Sequence, residues 1–240
     1  MKRIKRLVIV GGGTAGWITA SWFARRWGKM MDIVVIDKSE PERVGVGEAT
    51  LLSFPNVMKM MGYKPTDWMK EIDATFKAGI LFPGWGKEDK TIWHPFSFAS
   101  IGDSKTPLYD LWSSYQDEYD IKKISPMYVS SMKNRIETDY IHDSYAFQID
   151  CGKLVQFLQM NTIPHLKEYI QSDVVDVIRD GNADDLTESN IKELVLDDGS
   201  KITGDLFIDC TGWKQMLIGN KNVDCSDRLF INAALAARVE

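Results

Sequence analysis

An α/β fold follows from three observations in this 240-residue sequence. Arg6–Val10 is a short apolar run rich in β-branched residues, the composition of a buried parallel strand. Gly11, Gly12 and Gly13 break that run, and Thr14–Trp27 continues with helical spacing as far as Gly28, a helix stop. Ile33–Ile36 is a second buried strand, ending in Asp37. Strand, glycine turn, helix and strand within about 35 residues form a βαβ unit, and the glycine turn makes it Rossmann-like. Within the helix, Ala15, Ile18, Trp22 and Phe23 are expected to face the sheet.

Beyond that unit the elements are less regular. Val44–Thr50 reads as a glycine-spaced loop. Residues 51–145 are rich in aromatics, methionines and prolines, with helices expected at Leu51–Met61 and Thr66–Lys77. This stretch reads as an insertion carrying substrate-facing surface. Regular structure returns with a strand at Ala146–Asp150 and a helix at Gly152–Tyr169, where Leu154, Phe157 and Leu158 form one apolar stripe. Val174–Arg179 reads as a strand. Leu194–Leu196 and Lys201–Thr203 flank Asp198-Gly199, a two-residue hairpin signal. Leu206–Asp209 is another buried strand, leading into Cys210-Thr211-Gly212, and Phe230–Glu240 reads as a further strand. The expected organisation is therefore a discontinuous nucleotide-binding module, residues 1–50 with 146–240, interrupted by 51–145.

Composition narrows the class. The chain is 44% hydrophobic and 26% charged, which fits a globular protein and not a fibrous or disordered one. A net charge of -5 argues against a nucleic-acid surface. The basic start, Met1–Arg6, is followed by only Leu7–Val10 before glycine, too short a run for a signal-peptide core. No segment approaches the roughly 18–20 apolar residues of a membrane span. Cys151, Cys210 and Cys225 show no metal spacing and are odd in number, so they read as reduced thiols in a cytoplasmic protein without a metal site.

Five motifs carry chemistry. In Gly11–Gly16, Gly11 permits the tight turn, Gly13 lets a pyrophosphate reach the backbone and Gly16 lets helix and strand pack closely. Thr14 and Ala15 stand at the helix N-terminus, whose free N–H groups and positive dipole suit phosphates. Asp37, 21 residues after Gly16, is placed to accept from adenosine ribose hydroxyls, with Lys38 beside it in the same site. This motif does not choose between FAD and NAD. Gly45-Val46-Gly47-Glu48-Ala49-Thr50 suits a loop against a flat ligand, with Gly47, Glu48 and Ala49 nearest; a surface loop capping a helix at Thr50 fits the residues equally. Lys77, among apolar neighbours, is either a snorkelling surface residue or a desolvated amine capable of chemistry. Trp93-His94-Pro95-Phe96, with Trp85, either lines a pocket for an aromatic substrate or belongs to the core. Finally, an apolar strand ending in Thr211-Gly212 is what flavoproteins with two dinucleotide domains carry late in their fold, and it favours FAD. Serine elbows, Walker loops, HExxH and paired Cys-x-x-Cys are absent, so a cofactor is expected to carry the chemistry.

Together, Val8–Trp17, Gly45–Thr50, Phe76-Lys77 and Cys210–Gly212 resemble the flavin-dependent halogenases of the tryptophan halogenase type. The Gly-Trp ending of the first motif and the Gly-Val-Gly-Glu-Ala-Thr segment are the family-specific parts. The resemblance implies a Rossmann-like FAD-binding fold of the flavoprotein monooxygenase type with an inserted substrate-facing segment. It implies that reduced FAD, supplied by a separate flavin reductase in transient contact or by diffusion, reacts with oxygen to give a flavin hydroperoxide. Halide, the co-substrate, attacks this to form hypohalous acid. In the family a lysine matching Lys77 relays that acid to an electron-rich aromatic or indole-like substrate, free or carrier-bound. The Gly45–Thr50 segment resembles the strap between flavin and substrate sites, and His94 and Phe96 match a His-Pro-Phe segment that packs on the substrate.

The resemblance matches the N-terminal half of such an enzyme. The family's Trp-x-Trp-x-Ile-Pro signature, the partner glutamate of the lysine, the halide-binding turn and a late Gly-Asp flavin segment do not occur in these residues. The alternatives are an FAD-dependent monooxygenase that uses no halide, and a non-catalytic flavin-binding fragment.

Overall fold

The computed structural model describes residues 3–38, 47–85, 91–96, 114–115, 120, 122, 125–135, 145–181, 189–219 and 223–229. In chain order the first elements are β1 (Arg6–Val10), α1 (Thr14–Trp27), β2 (Asp32–Asp37), β3 (Gly47–Ala49), α2 (Phe54–Met60) and α3 (Pro65–Trp68). They are followed by β4 (Thr75–Lys77), β5 (Gly79–Phe82), β6 (Ile92–Pro95) and α4 (Pro126–Met132). The last are β7 (Ala146–Asp150), α5 (Cys151–Thr162), β8 (Glu168–Gln171), β9 (Val174–Asp180), β10 (Asn190–Leu196), β11 (Lys201–Ile202) and β12 (Leu206–Asp209). Two compact units result: Met1–Gly47 with Met60–Ile72 and Asp150–Glu240, and Glu48–Lys59 with Asp73–Ile149. Among the described residues no helix is long and apolar enough to cross a membrane.

The first unit is built on a parallel sheet of order β12-β1-β2-β8. Its central strands are apolar on both faces because both faces are covered. Val8, Val10, Val34 and Ile36 pack with Val174, Leu194, Leu196 and Leu217, so the antiparallel sheet β11-β10-β9 closes one side. Leu7, Ile9, Ile33 and Val35 alternate to the other side and are fully buried. There α1 packs on β1 and β2 and against α5. Residues 60–72 hold this helical layer. The Tyr63 hydroxyl lies 3.2 Å from Ser21 Oγ, its ring meets Phe157 edge-on at 5.1 Å, and the Arg25 guanidinium stacks over it at 4.1 Å.

Three sequence expectations are corrected here. The buried face of α1 is Gly16, Trp17, Ala20, Ser21 and Ala24, whereas Ala15 is exposed and Ile18, Trp22 and Phe23 are half-buried. Small residues let the helix approach the sheet, and Trp17 fills the space beside them. The helix expected at Thr66–Lys77 ends after one turn, at Trp68, and Thr75–Lys77 is a strand. Asp73 takes a left-handed backbone, φ 49°, which stops helical propagation. The helix expected at Gly152–Tyr169 ends at Thr162, because Pro164 carries no N–H to continue the ladder. Glu168–Gln171 instead extends the open edge of β2.

The second unit contains the sheet β3-β7-β4, with β4 antiparallel to β7, and the hairpin β5-β6. Phe76, Tyr145 and Phe147 form an aromatic cluster with centroids 4.8–5.4 Å apart. Trp93 packs with Ala78 and Met127, and its indole N–H donates to Ser125 Oγ at 3.1 Å. Gly45 and Val46, and the strand expected at Phe230–Glu240, lie outside the described residues.

Candidate functional site

In the first unit, a groove of about 510 Å³ opens at the carboxyl ends of β1, β2 and β12. Open parallel sheets bind ligands at this edge because the loops and helix N-termini converge there. β1 ends at Val10, and the Gly11 N–H donates to the Ile36 carbonyl at 2.9 Å, the last rung between β1 and β2 before the glycine turn. Gly11 has φ +117°, and a Cβ there would lie 2.1 Å from the Cys210 carbonyl oxygen, so only glycine fits. At Gly16 a Cβ would lie 1.8 Å from the Gly11 carbonyl oxygen, which accounts for the close seating of α1 on the turn.

Gly13 differs from its neighbours. It is the N-cap of α1, makes no side-chain cap hydrogen bond, and a Cβ there would meet nothing within 4 Å. The first-turn N–H groups of Thr14, Ala15 and Gly16 are those a helix leaves without intrahelical partners, and they head the positive end of its dipole. An anion seated at this turn therefore finds open space and donors together.

Asp37 ends β2 and is buried, its carboxylate resting directly against Gly12, where a Cβ would fall 1.8 Å from it. The Tyr169 hydroxyl donates towards it at 3.5 Å. Lys38 follows at the rim and pairs with Asp173 at 3.6 Å. These features fit the ADP half of a dinucleotide: donors for a pyrophosphate, open backbone beside them, and a carboxylate at the end of the second strand.

A further wall of the groove is Cys210–Lys214 with Met216, which the expected site residues did not include. Asp209 anchors it. Its Oδ1 accepts from the Thr211 N–H at 3.0 Å and the Thr211 hydroxyl at 2.6 Å. Its Oδ2 accepts from the N–H groups of Leu217 at 2.7 Å and Ile218 at 3.1 Å. Burial pushes this carboxyl upward, but the Thr211 and Leu217–Ile218 donors outweigh that and hold it below its ordinary value. The neighbouring Cys210 thiol is pushed up by burial against an opposing hydrogen bond from Thr19, and the Asp209 charge adds to the rise. The sequence signal for this wall was present: an acid closing an apolar strand immediately before Cys-Thr-Gly.

In the second unit, the structure brings Lys77, His94 and Phe96 together. Lys77 ends β4, half-buried and paired with Ala146 of β7. Its Nζ lies 5.1 Å from the centroid of the Phe96 ring, within cation–π range. Phe96 is fixed by its N–H donating to the Ala78 carbonyl at 3.0 Å, and the exposed His94 imidazole meets it edge-on at 6.2 Å. Of the aromatic segment, Trp93 is core, and Trp85 is exposed beside Phe82. Gly47, Glu48 and Ala49 form an exposed strand and not a loop. Thr50 caps no helix; its hydroxyl accepts from the Phe147 N–H at 2.9 Å.

The tryptophan halogenase family model matches residues 6–240. Tryptophan 6-halogenase ThaL of Streptomyces albogriseolus is 30% identical, over 99% of this chain and 49% of its own length. Tryptophan 7-halogenase RebH of Lentzea aerocolonigenes is 27% identical, over 99% of this chain and 48% of its own. Among solved structures, Xcc4156, a flavin-dependent halogenase from Xanthomonas campestris, superposes with TM-score 0.78 at 30% identity, covering 91% of this chain and 44% of that one. BrvH, a flavin-dependent halogenase from Brevundimonas sp. BAL3, gives TM-score 0.73 at 26% identity, with 90% and 44% covered. The chain spans about half the length of the curated relatives it matches.

Proposed function

The chain belongs to the tryptophan halogenase family, and from that premise we propose that it serves flavin-dependent halogenation of an electron-rich aromatic substrate. The observation that carries this reading is Lys77, half-buried with its ammonium on the Phe96 ring and His94 beside that ring.

Each residue has a part in this reading. The N–H groups at Gly13–Gly16 hold the pyrophosphate of FAD, Asp37 accepts from the adenosine ribose, and Lys38 adds positive charge at the rim. Gly47, Glu48 and Ala49 form the strap. Bound and reduced, FAD supplies the oxygen activation that turns halide into hypohalous acid. Lys77 Nζ donates a hydrogen bond to the oxygen of that acid and keeps its halogen directed at the substrate. Phe96 and His94 offer aromatic faces for the substrate ring, and stacking there orients the carbon to be halogenated. The substrate class is indole-like, tryptophan being named in the relatives' activities. Reduced FAD comes from a separate reductase.

The test uses the full-length protein with a flavin reductase, chloride or bromide, and a panel of tryptophan, simpler indoles, phenols and carrier-bound aromatics. Mass spectrometry should find a monohalogenated product that depends on halide. Lys77→Ala should lower its rate at least ~100-fold, as expected for a positioned proton-donating group, while FAD binding stays intact. Unchanged halogenation by Lys77→Ala, or a hydroxylated product made without halide, would overturn the reading.

A further inference from the structure

Asp209 stands where the ladder of β12 ends and the wall of the groove begins. Its two oxygens are divided between two segments: Oδ1 serves Thr211, and Oδ2 serves Leu217 and Ile218. Thr211 passes the connection on. Its hydroxyl proton goes to Asp209, and the same oxygen accepts from the Met216 N–H at 3.0 Å. Arg179 of β9 donates to the Leu217 carbonyl from the other side. Cys210 itself is tied to β1, its N–H donating to the Val10 carbonyl at 2.8 Å, and its carbonyl lies against Gly11. The segment carrying Trp213 and Lys214, both lining the groove, is therefore closed into a loop by one carboxylate.

We propose that Asp209 is a positioning residue for the cofactor groove, its carboxylate holding the wall Cys210–Met216 in register with the glycine turn. The inference rests on the flavin reading above, since it assigns that wall to cofactor binding. The chemistry requires an ionised acid. A carboxylate accepts at both oxygens, so it serves all four donors. An amide accepts at one end only, so Asn in either orientation would set an NH2 against one pair of N–H or O–H donors. Half-buried donors left facing a donor lose their bonds and their solvent together.

The full chain is titrated with FAD by flavin fluorescence, and amide hydrogen exchange is followed without ligand. Asp209→Asn should raise the FAD Kd about tenfold or more and speed exchange at Leu217 and Ile218. Thr211→Ser should retain more affinity than Thr211→Val, because only serine keeps the hydroxyl. Asp205→Ala is the control: Asp205 accepts from the Lys5 and Arg6 N–H groups, both at one oxygen, at the opposite end of β12. It should lower the melting temperature and leave FAD affinity unchanged. Equal FAD affinity and equal exchange in Asp209→Asn and wild type would overturn the inference while leaving the flavin reading standing. So would an equal loss of affinity in Asp205→Ala, which would reduce Asp209 to general stability. A wild-type chain that takes up no FAD would overturn the flavin reading, and this inference with it.

Discussion

Asp209 and Lys77 show how one side chain takes its meaning from the groups around it. Four donors on a half-buried carboxylate hold its folded pKa below the unfolded one. That difference stabilises the fold at any pH above the ordinary carboxyl range, and the stabilisation is lost as pH falls through the depressed folded value. Urea midpoints of wild type and Asp209→Asn should therefore lie furthest apart near neutral pH and converge in acid. A gap that does not change with pH would contradict this. For Lys77 the sequence left two readings open, surface snorkelling and a desolvated amine. The structure adds the partner that sequence could not: Phe96, 19 positions away in the chain and adjacent in space.

The elements were legible wherever local pattern and tertiary environment agreed. β1, α1, β2 and β12 follow from apolar runs punctuated by glycine, and the Asp198-Gly199 turn does join β10 to β11. The buried face of α1 differs from the expected Ala15, Ile18, Trp22 and Phe23, because close helix–sheet packing selects Gly16, Ala20 and Ala24, with Trp17 filling the space beside them. Strand β4 is not legible in sequence, because Ile72, Ala74 and Phe76 alternate for too few residues to override a helical reading. The end of α5 is written in Pro164, which lacks the N–H to carry the helix on. Its start is set by Asp150, whose side chain accepts from the Lys153 N–H at 3.0 Å. Asp150→Ala should cost about 1 kcal/mol in urea denaturation, and Asp150→Asn only a few tenths, since asparagine caps nearly as well. Equal losses in the two variants would show that the capping bond is not what Asp150 contributes.

For the molecule as a whole, the nucleotide-binding unit is assembled from distant stretches of chain. β12, late in the sequence, pairs in parallel with β1 and supplies the wall that faces the glycine turn. Such non-local pairing is invisible to periodicity, which is why the strand ending in Cys210-Thr211-Gly212 could be read from sequence but not its place beside β1, facing the glycine turn. In the function proposed above, this groove seats the ADP half of FAD at Gly13. That residue can be changed without disturbing the fold: its Cβ would meet nothing, its φ is -77°, and it occupies an N-cap, where aspartate is favoured. Aspartate there would cap the first-turn N–H groups and oppose phosphate with its charge. The decisive measurement is an FAD titration, with ADP as competitor, of wild type and Gly13→Asp. ADP should displace FAD from the wild type. Gly13→Asp should melt at the same or a higher temperature yet bind FAD at least ~100-fold more weakly. A stably folded Gly13→Asp that binds FAD as tightly as wild type would place the cofactor's phosphates elsewhere and overturn this assignment.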